Sequence, residues 1–88
     1  MSWIVEFTEE ADEQLLKLDK PIRERIRKYV KELEKLPNPQ IRAESLKGDL
    51  GDFCKYRVGD YRLICQIYDE KMLVLVVKIG HRSKVYRK

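Results

Sequence analysis

Eighty-eight residues, 43% hydrophobic and 39% charged, are enough for one domain with one core and a heavily solvated surface. The longest apolar run, Met72 to Val77, is far too short for a bilayer span. Acids and lysines crowd the first helix and no secretory or transit signal is visible, so the chain reads as soluble and cytoplasmic. The net charge of +4 is uneven: residues 1–46 hold nine basic and ten acidic side chains, whereas residues 47–88 hold ten and five. That asymmetry points to a polyanion partner, most simply nucleic acid.

Trp3 to Phe7 alternate as a first strand, with Trp3, Val5 and Phe7 on one side. Thr8 is a suitable N-cap, and Glu9 and Glu10 suit a first helical turn. Ala11, Leu15 and Leu18 are spaced for one helix face, widened by Leu16. Asp19-Lys20-Pro21 ends this helix and starts a second, whose apolar stripe is Ile22, Ile26, Tyr29, Val30, Leu33 and Leu36. Its charged outer face reads as solvated, with ion pairs along the helix. Pro37-Asn38-Pro39 stops it, and residues 40–52 read as irregular.

Gly59-Asp60 lies between two alternating segments, a two-residue hairpin signal. With that loop, Val58 pairs with Tyr61, Arg57 with Arg62, Lys55 with Ile64 and Cys54 with Cys65. Alternation then places Cys54, Tyr56, Val58, Tyr61, Leu63 and Cys65 on a core face. Lys55, Arg57, Arg62, Ile64 and Gln66 fall on the other, open face. Directly opposed arginines repel, and an anion between them relieves the repulsion. The two cysteines read as buried free thiols. After Asp69-Glu70-Lys71, Met72 to Ile79 read as a central strand buried on both faces. The order strand, helix, helix, three-stranded meander predicts an α+β domain, with a helical hairpin on one face of a small antiparallel sheet.

The acid-free tail Gly80-His81-Arg82-Ser83-Lys84-Val85-Tyr86-Arg87-Lys88 follows the last strand. It can bring His81, Arg82 and Tyr86 beside Lys55, Arg57 and Arg62. Cations there would hold phosphates and a tyrosine would stack on an unpaired base. One histidine and two separated cysteines supply no metal-ligand cluster, and Gly48-Asp49-Leu50-Gly51 is not a phosphate loop.

Tyr56-Arg57-Val58-Gly59-Asp60-Tyr61-Arg62-Leu63-Ile64, preceded by Leu46-Lys47-Gly48 and followed by Gly80 to Tyr86, resembles the RelE-type toxins of the RelE/ParE superfamily. The resemblance covers nearly the whole chain as a single domain, 1–88. It implies the toxin of a type II toxin–antitoxin pair, a metal-independent and cofactor-independent endoribonuclease that cuts messenger RNA in the ribosomal A site. The 2′-hydroxyl would attack the adjacent phosphate and leave a 2′,3′-cyclic phosphate. The implied catalytic set is Lys55, Arg57, Arg62, His81, Arg82 and Tyr86, with Lys47, Lys84, Arg87 and Lys88 as further RNA contacts. Arginines suit stabilisation of the phosphorane. Lys55 suits a general base, its charged form disfavoured by Arg57 and Arg62, and His81 suits an acid. Arg57 stands where some members carry lysine, and the chain reads as lacking the C-terminal helix of many relatives. Implied partners are an acidic RelB-like antitoxin, the ribosome and mRNA, with no membrane. A ParE-type gyrase poison and a non-catalytic RNA-binding module are the alternatives on the same fold.

Overall fold

The computed structural model describes residues 2–45 and 53–81. Strand β1 (Ile4–Phe7) leads into α1 (Glu9–Leu16). The Thr8 hydroxyl accepts from the Ala11 N–H at 3.1 Å, and Glu9, Glu10 and Asp12 occupy the first turn, where the helix dipole favours acids. Ala11 and Leu15 are buried and Leu18 packs at the core margin. Leu16, expected to widen the stripe, is 53% exposed, because one residue past Leu15 lies about 100° around the helix.

Helix α2 (Lys20–Lys35) has Pro21 in its first turn, where the missing N–H loses no helix bond. Ile26, Val30 and Leu33 are its buried residues, spaced four and three apart as one face requires. The helix ends at Leu36. The Trp3 indole N–H then donates to the Pro37 carbonyl at 3.1 Å, fixing the end of α2 to the start of β1. The segment expected to be irregular holds a 3₁₀ turn (Pro39–Arg42) and a two-residue strand, β2 (Glu44–Ser45). Two residues are too few for any periodicity to register.

Strands β3 (Phe53–Val58), β4 (Tyr61–Tyr68) and β5 (Leu73–His81) complete a five-stranded sheet of order β1-β5-β4-β3-β2. The helices cover one face, as the predicted α+β arrangement requires. The sheet is mixed rather than antiparallel, since β1 runs parallel to β5. Both helices and strands β2 to β4 lie between these partners in the chain, so no hairpin forces them antiparallel. The expected β3–β4 register is present throughout, including Arg57 opposite Arg62 and Cys54 opposite Cys65. Gly59 has φ +61°, the left-handed conformation that hairpin loops take at glycine. Strand β5 is internal, but β4 is the middle strand. Val74, Val76 and Ile79 are buried on the core face of β5, whereas Leu73, Leu75 and Val77 are only partly covered.

A bulge interrupts the β4–β5 ladder: Ile64 pairs with Lys78 and Cys65 with Val76, leaving Val77 extra. Strict alternation from Val74 and Val76 would aim Lys78 into the core. The extra residue reverses the parity, so Lys78 is exposed and Ile79 is buried. Beyond the end of β1, helix α1 satisfies the β5 edge. The Gln14 side-chain oxygen accepts from the Ile79 N–H at 2.7 Å, and the Thr8 hydroxyl lies 3.4 Å from the Val77 carbonyl.

Candidate functional site

The face away from the helices is ordered in cross-strand rows. One row reads Glu44, Lys55, Ile64, Lys78 across β2, β3, β4 and β5. The next reads Arg57, Arg62, Gly80. Side chains in register share a face, so Lys55, Arg57, Arg62 and Lys78 form one cationic field. Lys78 was not among the residues singled out from sequence. Its placement depends on the bulge, which has no marker in the run Val76-Val77-Lys78-Ile79.

Exposure across this field is uneven. Arg57 is exposed, while Arg62 is only 9% exposed and Ile64 only 8%. The open face expected from alternation is therefore closed along the middle strand and largely at Lys55, whose side chain is 13% exposed, and is accessible at Arg57 and Lys78. Arg62 is thus a buried cation in the middle strand, with Arg57 opposite it on β3 at the surface.

Glu44 is the second residue that sequence reading missed. Its carboxylate lies 3.5 Å from Lys55 Nζ through Oε1 and 3.4 Å from Arg57 Nη2 through Oε2. Two of the four cations thus share one half-exposed anion. Lys55 was expected to feel only its arginine neighbours; strand β2 adds a carboxylate that lies eleven residues upstream of it and outside any recognisable strand pattern. The cysteines take no part in this face. Both are free and buried; burial pushes the Cys54 thiol up to about 11 and holds the Cys65 thiol well above its ordinary value. Burial also raises the Tyr56 phenol, whose O–H donates to the Pro39 carbonyl at 3.0 Å.

His81 falls in the row Val58, Tyr61, His81, on the helix-covered side of the sheet. Its ring meets the Tyr61 ring edge-on, at 5.3 Å between centroids and 88° between planes. It was expected beside Arg57 and Arg62, but the register puts it on the opposite face, one residue past Gly80. Lys47, Arg82, Lys84, Tyr86, Arg87 and Lys88 lie outside the described residues. Arg57 has a second neighbourhood: a shallow cleft of about 340 Å³ between α2 and the hairpin loop, lined by Arg25, Lys28, Tyr29, Glu32, Arg57, Val58 and Gly59. Among the described residues no group of three or more His, Cys, Asp or Glu side chains is arranged to hold a metal ion, and no helix is long and apolar enough to cross a membrane.

Residues 5–86 match the family described as ParE toxin of type II toxin-antitoxin system, parDE. The chain is 37% identical to the mRNA interferase toxin RelE of Escherichia coli K12, over 98% of this chain and 92% of that one. The chain belongs to the RelE-type toxins of the RelE/ParE superfamily. Its fold resembles that in the RelBE2 toxin–antitoxin complex of Mycobacterium tuberculosis, with TM-score 0.83 and 27% identity over 96% of this chain and 95% of that one. It also resembles the archaeal RelE–RelB complex of Pyrococcus horikoshii, with TM-score 0.75 and 25% identity over 97% of this chain and 100% of that one. As a RelE-like toxin of a type II toxin–antitoxin system, the chain places its lysine- and arginine-bearing hairpin on the sheet face opposite the helical pair.

Proposed function

We propose that this RelE-type toxin is a ribosome-dependent endoribonuclease that cuts messenger RNA in the A site. Endoribonuclease activity is supported by the 37% identity to an mRNA interferase. The observation that carries the reading is Arg57 in register with Arg62, on a face shared with Lys55 and Lys78. Directly opposed arginines are unfavourable alone, and a phosphodiester bridging them turns repulsion into two charge-assisted contacts. In the proposed reaction the 2′-hydroxyl oxygen bonds to the adjacent phosphorus while the bond to the next nucleotide's 5′-oxygen breaks. A 2′,3′-cyclic phosphate and a 5′-hydroxyl remain. Arg57, Arg62 and Arg82 stabilise the extra negative charge on the pentacovalent phosphate. Lys55 receives the 2′-hydroxyl proton, His81 is the proposed donor to the leaving oxygen, and Tyr86 stacks on a substrate base. Lys47, Lys84, Arg87 and Lys88 add phosphate contacts. His81 would have to act around the sheet end, since its row faces the helices.

The toxin is proposed to act in the cytoplasm and to be held inactive by an acidic, RelB-like antitoxin. The RelB complexes of its structural neighbours support such a partner. The test is purified protein on ribosomes carrying a defined mRNA. Wild type should cut within the A-site codon and leave a cyclic phosphate. Arg62→Ala and Arg82→Ala should each lower the rate on the order of 10²–10³-fold and relieve growth arrest in cells. Full activity of the double variant would overturn the assignment. Intact mRNA accompanied by DNA damage on induction would favour a gyrase-directed toxin, the reading that the ParE family match supports.

A further inference from the structure

Glu44 has no place in the reaction proposed above, yet it sits against two of its cations. Strand β2 pairs Glu44 directly with Lys55, so backbone register, not a chance rotamer, brings the carboxylate to the site. Its oxygens lie 3.5 Å from Lys55 Nζ and 3.4 Å from Arg57 Nη2. These separations are longer than those of a tight charge-assisted pair. Glu44 and Arg57 side chains are 50% and 56% exposed, and an ion pair this exposed is weak; the Lys55 side chain is only 13% exposed, so its contact with Glu44 is the less screened of the two. A phosphodiester carries the same single charge, accepts from the same donors and fits the guanidinium fork equally well.

We propose that Glu44 occupies the phosphate position between Lys55 and Arg57, is displaced when RNA binds, and so sets the affinity threshold that a ligand must exceed. The proposal rests on the RNA-cutting reading above. In the free protein the carboxylate keeps the two cations oriented and offsets their mutual repulsion. On binding, the phosphodiester takes over both contacts and Glu44 turns outward, which its exposure permits. RNA must therefore outcompete a resident anion. Isolated phosphates and short RNA segments, lacking contacts elsewhere on the face, do so poorly. A substrate held at several positions does so readily. The competitor lowers all affinities by the same factor, which leaves their ratios unchanged and raises the threshold for occupancy, so at a given concentration only multiply held ligands stay bound.

Glu44→Gln keeps the side chain's size and removes its charge. The probe is a short, fluorescently labelled single-stranded RNA, 2′-O-methylated throughout so that it cannot be cut, titrated by anisotropy over a series of salt concentrations. Glu44→Gln should bind about fivefold more tightly than wild type at low salt, the factor that one unit-charge contact is worth in water. The slope of log affinity against log salt should steepen by about 0.7, the increment of one more phosphate neutralised on a single strand. Glu44→Asp should return both values towards wild type. On programmed ribosomes Glu44→Gln should lower KM and leave kcat in place. Thermal melting of each variant checks that the exposed substitution has not disturbed the fold. Unchanged affinity and slope in Glu44→Gln, or weaker binding, would overturn the proposal while leaving the nuclease reading intact. Failure of wild type and Glu44→Gln alike to bind the probe, with no cutting on ribosomes, would remove both.

Discussion

Cys54 and Cys65 face each other across the β3–β4 ladder, and both are buried as free thiols. Burial in an apolar core disfavours the thiolate, so neither is a reactive nucleophile at neutral pH. The same burial makes stability pH-dependent. A folded-state value raised to about 11 from 9.0 for Cys54 favours the protonated form in the folded protein. That contribution is fully present below pH 9, and it is lost as pH rises through about 11. Cys65 and Tyr56 shift in the same direction for the same reason. The melting temperature should therefore hold steady up to about pH 9 and fall above it, by the equivalent of on the order of 2 kcal/mol from Cys54 alone. A Cys54→Ala, Cys65→Ala variant should show a shallower alkaline decline. An equally steep decline would mean that other groups govern alkaline unfolding.

At the scale of elements, the β3–β4 hairpin determines where the cations stand, and its loop determines the register. Gly59 at φ +61° is followed directly by Asp60 and the start of β4. A side chain there would adopt a left-handed conformation, costing about 1–2 kcal/mol. Its Cβ would also lie 3.1 Å from Arg25 Nη1 on α2. Because that atom ends a flexible side chain, the backbone cost should dominate. Gly59→Ala should lower the urea-unfolding free energy by about 1–2 kcal/mol, and Gly59→Asn by less, since Asn tolerates this region better. Equal losses would point to the Arg25 contact instead. The 3₁₀ turn Pro39–Arg42 is tied on two sides, by the Tyr56 hydroxyl to Pro39 and by the Gln40 side chain to Asp69. It leads directly to β2 and so sets where Glu44 meets Lys55.

Across the described molecule, the sheet separates the proposed site from the core. Helices and core take one face, while the rows through Lys55 and Arg57 take the other. Among the described residues Lys55, Arg57, Arg62 and Lys78 share that second face, and cations so placed attract polyanions over a distance set by salt. Lys78 at the far end of the Glu44 row extends this surface across β5. Lys78→Ala should leave the melting temperature nearly unchanged, because the side chain is exposed. On ribosomes it should raise KM and leave kcat in place, the signature of a uniform phosphate contact. A fall in kcat with KM unchanged would place Lys78 among the reacting groups instead.

Local patterns in the chain determined the helices, their caps and the β3–β4 register. Hydrophobic period, capping residues and the Gly59-Asp60 loop each act within a few positions of one another. That register alone sufficed to oppose Arg57 and Arg62. Tertiary structure decided the rest: the parallel docking of β1 on β5, the burial of Arg62, the placement of His81 on the helix side, and the approach of Glu44 and Lys78. The first depends on which distant strand pairs with β1. The approach of Glu44 and the placement of Lys78 and His81 depend on a two-residue strand and a one-residue bulge, features too short to leave a period in the sequence yet sufficient to choose the face on which a side chain emerges.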